Sequence, residues 1–77
     1  MRLVDAVYAR IMELAEEKEM NVNAFANMCG IPRSTIVTMP RSKTAKLSTI
    51  YGVCEGVNIT LQEFFNSPIF SRENIVD

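Results

Sequence analysis

Four cationic side chains lie in a long stretch of the sequence that contains no acidic residue. Between Met20 and Cys54 the net charge is +4, whereas the rest of the chain carries −5. Amide and hydroxyl side chains, which bond phosphate oxygens or base edges without adding repulsion, share this stretch. A charge run is usually only a solvated surface, and it indicates a surface that binds a polyanion only together with a second feature. The cations are Arg33, Arg41, Lys43 and Lys46, and the polar side chains of the stretch include Asn21, Asn23, Ser34, Thr35, Thr38 and Ser42.

Residue types elsewhere give no candidate for catalysis or for a metal site. The chain has no His, which excludes a Cys–His pair, and its carboxylates are scattered. A structural zinc site needs four Cys, His or carboxylate ligands. Cys29 and Cys54 lie at apolar positions of predicted helices, where a free thiol acts as a small hydrophobe, although a disulfide stays open. We therefore expect no enzymatic activity, no cofactor and no metal.

Length and composition favour one small domain. A chain of 77 residues, 48% of them apolar, is ample for a globular fold, although a domain of this size buries only about 60% of its unfolded surface. No apolar run approaches the roughly 20 residues needed to span a bilayer. Asp5 interrupts the first amphipathic stretch, which therefore lacks a signal-peptide core. We expect a cytoplasmic protein without a membrane partner.

Apolar residues recur at helical spacing in five segments. The first helix is predicted from Leu3 to about Lys18, the next two over about 22–29 and 33–39, and the fourth over about 47–55. Local signals mark their ends: Asn21 as an N-cap, Pro40 as the stop of the third helix, Gly56 as the closing residue of the fourth, and a Thr60–Glu63 capping box that starts a short fifth helix at Leu61. Residues 40–46 are predicted to form a connecting loop.

Three residues between Asn21 and Met39 have the spacing of two helices joined by a tight turn. Ala26 leaves room for a second helix to cross closely, Gly30 can take a left-handed conformation, and Ile36 would fill the crevice between the helices. This pattern resembles the phage-repressor/Cro-like helix-turn-helix family of DNA-binding proteins, of the xenobiotic response element type. The resemblance continues through 47–65 and covers most of residues 3–65.

The resemblance implies an all-α, five-helix repressor-like domain over residues 1–66. In that family the second helix of the pair, here about 33–39, enters the major groove of DNA. Its implied base-reading positions are Arg33, Ser34 and Thr38, with Thr35 beside them. Arg41, Ser42, Lys43 and Lys46 would hold the DNA backbone. Val22 stands where the family often has a phosphate-binding Gln, so Asn21 or Asn23 would have to substitute.

The tail, residues 67–77, has two apolar groups that leave two interpretations open. These groups, Pro68, Ile69 and Phe70 and then Ile75 and Val76, either fold back on their own domain or form a dimer contact. The predicted function is sequence-specific binding of double-stranded DNA by a homodimeric transcriptional regulator, a repressor, with no small-molecule ligand. The alternative is a protein-interaction module on the same scaffold, such as an antitoxin or a regulatory subunit.

Overall fold

Five α-helices and two single-turn 3-10 helices, with no strand, form the fold in a computed structural model that describes residues 1–77. The all-α, five-helix architecture predicted from the sequence is confirmed. None of the helices combines the length and the apolar character that crossing a bilayer requires. The helices are α1 (Leu3–Glu17), α2 (Val22–Cys29), α3 (Arg33–Val37), α4 (Leu47–Val57) and α5 (Leu61–Phe65), and the 3-10 helices are Met39–Arg41 and Pro68–Phe70.

The hydrophobic core joins all five helices, because each contributes at least one side chain that is completely inaccessible to solvent. No polar or charged residue is buried with them. Helices as short as α3 and α5 are unstable in isolation, so their stability must come from this shared packing. The fully inaccessible side chains, one from each helix in chain order, are Ile11, Phe25, Ile36, Val53 and Phe64.

Helices α2 and α3 form the helix-turn-helix that the spacing predicts. The Asn21 Oδ1 atom accepts a hydrogen bond from the Ala24 backbone N–H at 2.8 Å and so caps α2. Gly30, with φ of 68°, ends α2 in the left-handed conformation. Ala26 and Ile36 are both buried. The roles predicted for these residues as a cap, a turn and two packing positions are therefore confirmed.

The third helix is shorter than predicted. It ends at Val37, and Met39–Arg41 forms a 3-10 turn instead of the end of α3 and the start of a loop. Pro40 has no N–H to donate, and its ring would clash with the carbonyl four residues earlier if the α-helix continued. The tighter turn keeps Met39 in the core, where it is 4% exposed.

The fourth helix is longer than predicted, because Gly56 lies inside it and does not end it. Helix α4 continues to Val57, and Asn58 takes the left-handed conformation with φ of 58°. Asn tolerates this conformation better than most residues. Gly56 instead permits a close approach: a Cβ atom at this position would lie 2.8 Å from the Cys29 Cα atom of α2. Cys29 is half-buried, Cys54 is buried, and both are free thiols.

Helix α5 is held at both ends by side chains. The predicted capping box is confirmed: Thr60 Oγ1 accepts from the Glu63 N–H at 3.0 Å, and Glu63 Oε1 accepts from the Thr60 N–H at 2.9 Å. At the other end, Arg10 of α1 donates to the carbonyls of Phe64 at 2.7 Å and Glu63 at 3.0 Å. These bonds give the Phe64 carbonyl its partner, since no backbone N–H reaches it, and add to the bond that the Glu63 carbonyl accepts from the Asn66 N–H at 3.3 Å.

The tail folds back on its own domain. Its 3-10 helix packs against α1, and the Phe70 ring centroid lies 6.0 Å from that of Phe64 and 4.9 Å from that of Phe65. Further along, the Val76 N–H donates to the Met1 carbonyl at 2.9 Å. Of the two interpretations of the tail, folding back is the one observed, and a dimer contact through it stays a prediction.

The close approach of α2 and α4 predicts different effects for alanine at the two glycines of α4. Gly56→Ala should destabilise the fold by about 1–3 kcal/mol, the usual cost of adding a methylene to a tightly packed site. Gly52 is the matched control, since a Cβ there would meet only the mobile end of Ile31 at 3.3 Å. Gly52→Ala should be neutral or stabilising by up to about 1 kcal/mol, because Ala loses less backbone entropy in a helix. Urea unfolding followed by circular dichroism measures both, and equal free energies of unfolding would contradict the proposed contact.

Candidate nucleic-acid interface

All four cations of the acid-free stretch are exposed and have no acidic partner within the chain. Arg33 is the first residue of α3, and Arg41 is the last residue of the following 3-10 turn. Lys43 and Lys46 lie in the connection to α4. The side-chain ion pairs of the protein involve other arginines, Arg2 with Asp5 and Arg10 with Glu13. The four charges are therefore available to an external anion.

Helix α3 has one buried side and one polar side. Ile36 is completely buried, whereas Arg33, Ser34 and Thr38 are exposed and Thr35 is half-buried. The Thr38 hydroxyl donates to the Ser34 carbonyl at 2.6 Å, so its oxygen remains available as an acceptor. The residues predicted to read bases therefore share the solvent-facing side of one short helix.

An open polar cavity of about 400 Å³ lies between α3, the connecting loop and the start of α4. It brings together four of the predicted site residues. Three further hydroxyl residues, Thr44, Ser48 and Thr49, line the same cavity but are absent from the sequence-based set. The available signal was their place on either side of Lys46, at the end of the predicted loop and in the first turn of the predicted fourth helix. The four predicted residues in the cavity are Thr35, Thr38, Ser42 and Lys46.

The first turn of α4 adds backbone donors to this region. Lys46 is the N-cap residue, in an extended conformation, and no side chain caps the helix. The N–H groups of Thr49 and Ile50 both bond to the Lys46 carbonyl, whereas those of Leu47 and Ser48 have no partner within the protein. Free N–H groups at a helix start attract anions, because the helix dipole is positive there.

Asn21 and Asn23, at the start of α2, differ in which side-chain groups are free to bind a ligand. The side-chain oxygen of Asn21 already caps α2, which leaves the side-chain NH₂ group of Asn21 free. Asn23 is exposed, and its side chain makes no hydrogen bond within the protein. Either amide can donate to a phosphate oxygen, so both residues stay on the list of predicted contacts.

Arg2 is a residue of this region that the sequence analysis missed. Its guanidinium donates to the carbonyls of Pro40 at 2.7 Å and Ser42 at 3.0 Å, on either side of Arg41. It also bonds both carboxylate oxygens of Asp5. This hydrogen bond lowers the pKa of Asp5, which therefore stays ionised at neutral pH. No sequence signal predicts contacts between residues about 40 positions apart.

The two cysteines offer no reactive site. Burial raises the pKa of both the Cys29 and the Cys54 thiol, because removing water disfavours the thiolate. Both groups are therefore protonated at neutral pH and poorly nucleophilic. Their packing against the core agrees with the predicted role of small hydrophobes.

A second cavity, an apolar groove of about 150 Å³, lies beside the cationic loop. Leu3, Leu47 and Phe65 form its exposed walls, and Leu47 is 71% exposed. Lys43 and Asp77 are its only charged lining residues. A single domain of this size gains nothing from exposing large aliphatic and aromatic side chains together, so the groove is a candidate contact surface.

Comparison with known proteins gives one structural relative. No protein-family model and no curated protein sequence matches the chain. The crystal structure of prophage Lp1 protein 11 is similar to it, with a TM-score of 0.78 and 29% sequence identity, over 92% of this chain and 99% of the other. The likeness thus extends over nearly the whole of both chains and associates this helical fold with a prophage protein.

Proposed function

We propose that this protein binds double-stranded DNA sequence-specifically and acts in the cytoplasm as a transcriptional regulator, a repressor, of the phage-repressor/Cro-like type. The observation that carries the proposal is the coincidence of two features. The exposed side of α3 belongs to a helix-turn-helix, and the cations on and directly after that helix have no acidic partner. The structural likeness to a prophage protein supports it.

In the proposed complex, α3 lies in the major groove and its exposed side chains face the base edges. Arg33 is the best candidate for base reading, since a guanidinium can bond O6 and N7 of guanine together. The polar cavity and the start of α4 would face the phosphates, with Lys46 and the free N–H groups of Leu47 and Ser48 as donors. Arg41 and Lys43 would neutralise the neighbouring strand.

Salt dependence tests DNA binding against the alternative of a protein-interaction module. About four cationic contacts per protomer, the base-reading Arg33 included, predict a slope of about −4 for log affinity against log salt, from roughly −0.9 per phosphate charge neutralised. Lys46→Ala should make the slope shallower by about 0.9, because one contact is lost. Arg72→Ala, which removes an exposed cation of the tail, is the control and should leave the slope unchanged. Fluorescence anisotropy with random duplex DNA measures these slopes; a protein-interaction module would show no salt-dependent association at micromolar concentrations.

Base reading by Arg33 predicts a change in specificity at one position. Selection of bound duplexes from a random pool should give a site whose preference at one base pair per half-site disappears in Arg33→Ala. The expected loss against the best base is about 1–3 kcal/mol, the discrimination of a bidentate pair. Lys43→Ala is the matched control and should weaken binding to all sequences alike. A uniform loss for Arg33→Ala would instead make Arg33 a phosphate contact.

We also propose that the protein acts as a homodimer. Two protomers would meet half-sites about 34 Å apart, one turn of DNA, and would therefore favour a roughly palindromic operator. The apolar groove supports this arrangement, because its exposed walls lie next to the cationic loop and its lining reaches Asp77 at the end of the tail. Asp77 is the only tail residue that lines the groove, so the groove and the predicted tail contact at Pro68, Ile69 and Phe70 are separate candidate dimer surfaces.

Leu47→Lys tests the groove as the dimer surface. A cation among its apolar walls should shift the monomer–dimer equilibrium toward the monomer, since burying an unpaired charge is costly. Met28→Lys is the control, because Met28 is 38% exposed on α2 and does not line the groove. Sedimentation equilibrium measures both variants. The groove would be rejected if Leu47→Lys and the wild type dimerised equally.

A further inference from the structure

The segment that carries Arg41 and Lys43 is held by few hydrogen bonds. Within it, the Arg41 N–H donates to the Thr38 carbonyl at 3.0 Å and the Ser42 N–H to the Met39 carbonyl at 2.9 Å. No backbone N–H from residue 43 to residue 48 has a partner in the protein. Outside residues 38–45, the only residue that hydrogen-bonds to 39–45 is Arg2. Met39 and Ala45 anchor the two ends of this segment by packing in or against the core, and between them Arg2 supplies the only hydrogen bonds from outside residues 38–45.

Arg2 is itself held on both sides by the tail. The Val76 N–H donates to the Met1 carbonyl at 2.9 Å, and the Asp77 Oδ1 atom accepts from the Leu3 N–H at 3.1 Å. Asp5 fixes the orientation of the guanidinium by accepting two further bonds. A continuous series of hydrogen bonds thus runs from the tail, through the backbone around Arg2, to the carbonyls that flank Arg41.

We propose that Arg2 is a positioning residue for the DNA-backbone contacts of Arg41 and Lys43, and that the tail acts on DNA binding by holding Arg2 in place. This inference rests on the proposed function. Arg2 does not need to touch DNA in it, because four of its five N–H donors are already used by Asp5 and by the carbonyls of Pro40 and Ser42. Its contribution is to limit the conformations of the loop before DNA arrives, which lowers the entropy lost on binding.

The geometry of the Arg2 contacts allows a positioning role of Arg2 to be distinguished from a purely electrostatic role. Lys retains the positive charge of Arg2 but cannot reproduce the planar fork that reaches two carbonyls and a carboxylate together. Arg2→Lys should therefore weaken DNA binding by about tenfold, the equivalent of one lost charge-assisted hydrogen bond, and Arg2→Ala by at least as much. If Arg2 acts through Arg41 and Lys43, Arg2→Lys should have no further effect in the Arg41→Gln/Lys43→Gln variant. Wild-type affinity in Arg2→Lys, or an undiminished effect in that variant, would overturn the proposal.

The tail is tested by a matched pair of substitutions at Asp77. Asp77→Asn keeps an oxygen that can accept from the Leu3 N–H, whereas Asp77→Ala removes it. We expect Asp77→Ala to weaken DNA binding, Asp77→Asn to restore most of the loss, and Asp77→Ala combined with Arg2→Lys to be no worse than Arg2→Lys alone. Independent, additive losses would show that the tail does not act through Arg2.

Hydrogen exchange of the free protein separates failure of this inference from failure of the proposed function. The Arg41 and Ser42 amides should exchange about tenfold faster in Arg2→Lys than in the wild type, while the amide of buried Val53 keeps its protection. If the wild-type protein did not bind DNA, the proposed function and any effect of Arg2 on DNA contacts would be rejected. The exchange rates would still establish whether Arg2 holds the loop. Unchanged exchange at residues 41 and 42 would reject the positioning role even if DNA binds.

Discussion

The burial of Ile36 is the contact on which the candidate interface depends. Helix α3 has only five residues, far fewer than the roughly 12–15 that an isolated helix needs in water. It is held by Ile36, which is completely buried, and by Met39 one turn later; full burial of such a side chain contributes about 1.5–3 kcal/mol. Because Ile36 on the inner side of α3 and Met39 in the following 3-10 turn are both buried, the polar side chains of Arg33 and Ser34 are left in solvent.

A second constraint acts at the opposite end of α4 from the candidate interface. Gly56 has no side chain to separate α4 from Cys29, so the two helices approach until their backbones nearly touch. Helix α4 is rigid, and fixing its far end beside α2 also fixes the place of its first turn. The first N–H groups of α4 are free because a helix offers them no partner, and the contact at the other end of α4 helps to set where they and the adjoining polar cavity lie.

Features with local causes could be predicted from the sequence, whereas those that depend on distant residues could not. Asn21 and the Thr60–Glu63 pair bond to backbone atoms within three residues, so their types and spacing are sufficient. Gly56 and Asn58 can both take the left-handed conformation that ends a helix. The structure shows that Asn58 ends α4 and that Gly56 allows the close approach of Cys29, which the sequence does not reveal. Arg2 likewise looks like any exposed terminal residue until the fold brings it to the connecting loop.

The overall charge of −1 is a poor guide to the partner of this protein. Dissolved salt screens the interaction between distant charges, so a bound ligand responds mainly to the charges near it. At physiological ionic strength the Debye length is about 8 Å, and the molecule measures 32 × 24 × 21 Å. Acidic residues that lie farther than this from the cationic loop therefore have little influence on an anion bound there. What an anion there encounters is a run of unpaired cations, free N–H groups at the start of α4 and hydroxyls in between, all positioned by an apolar core that carries no charge.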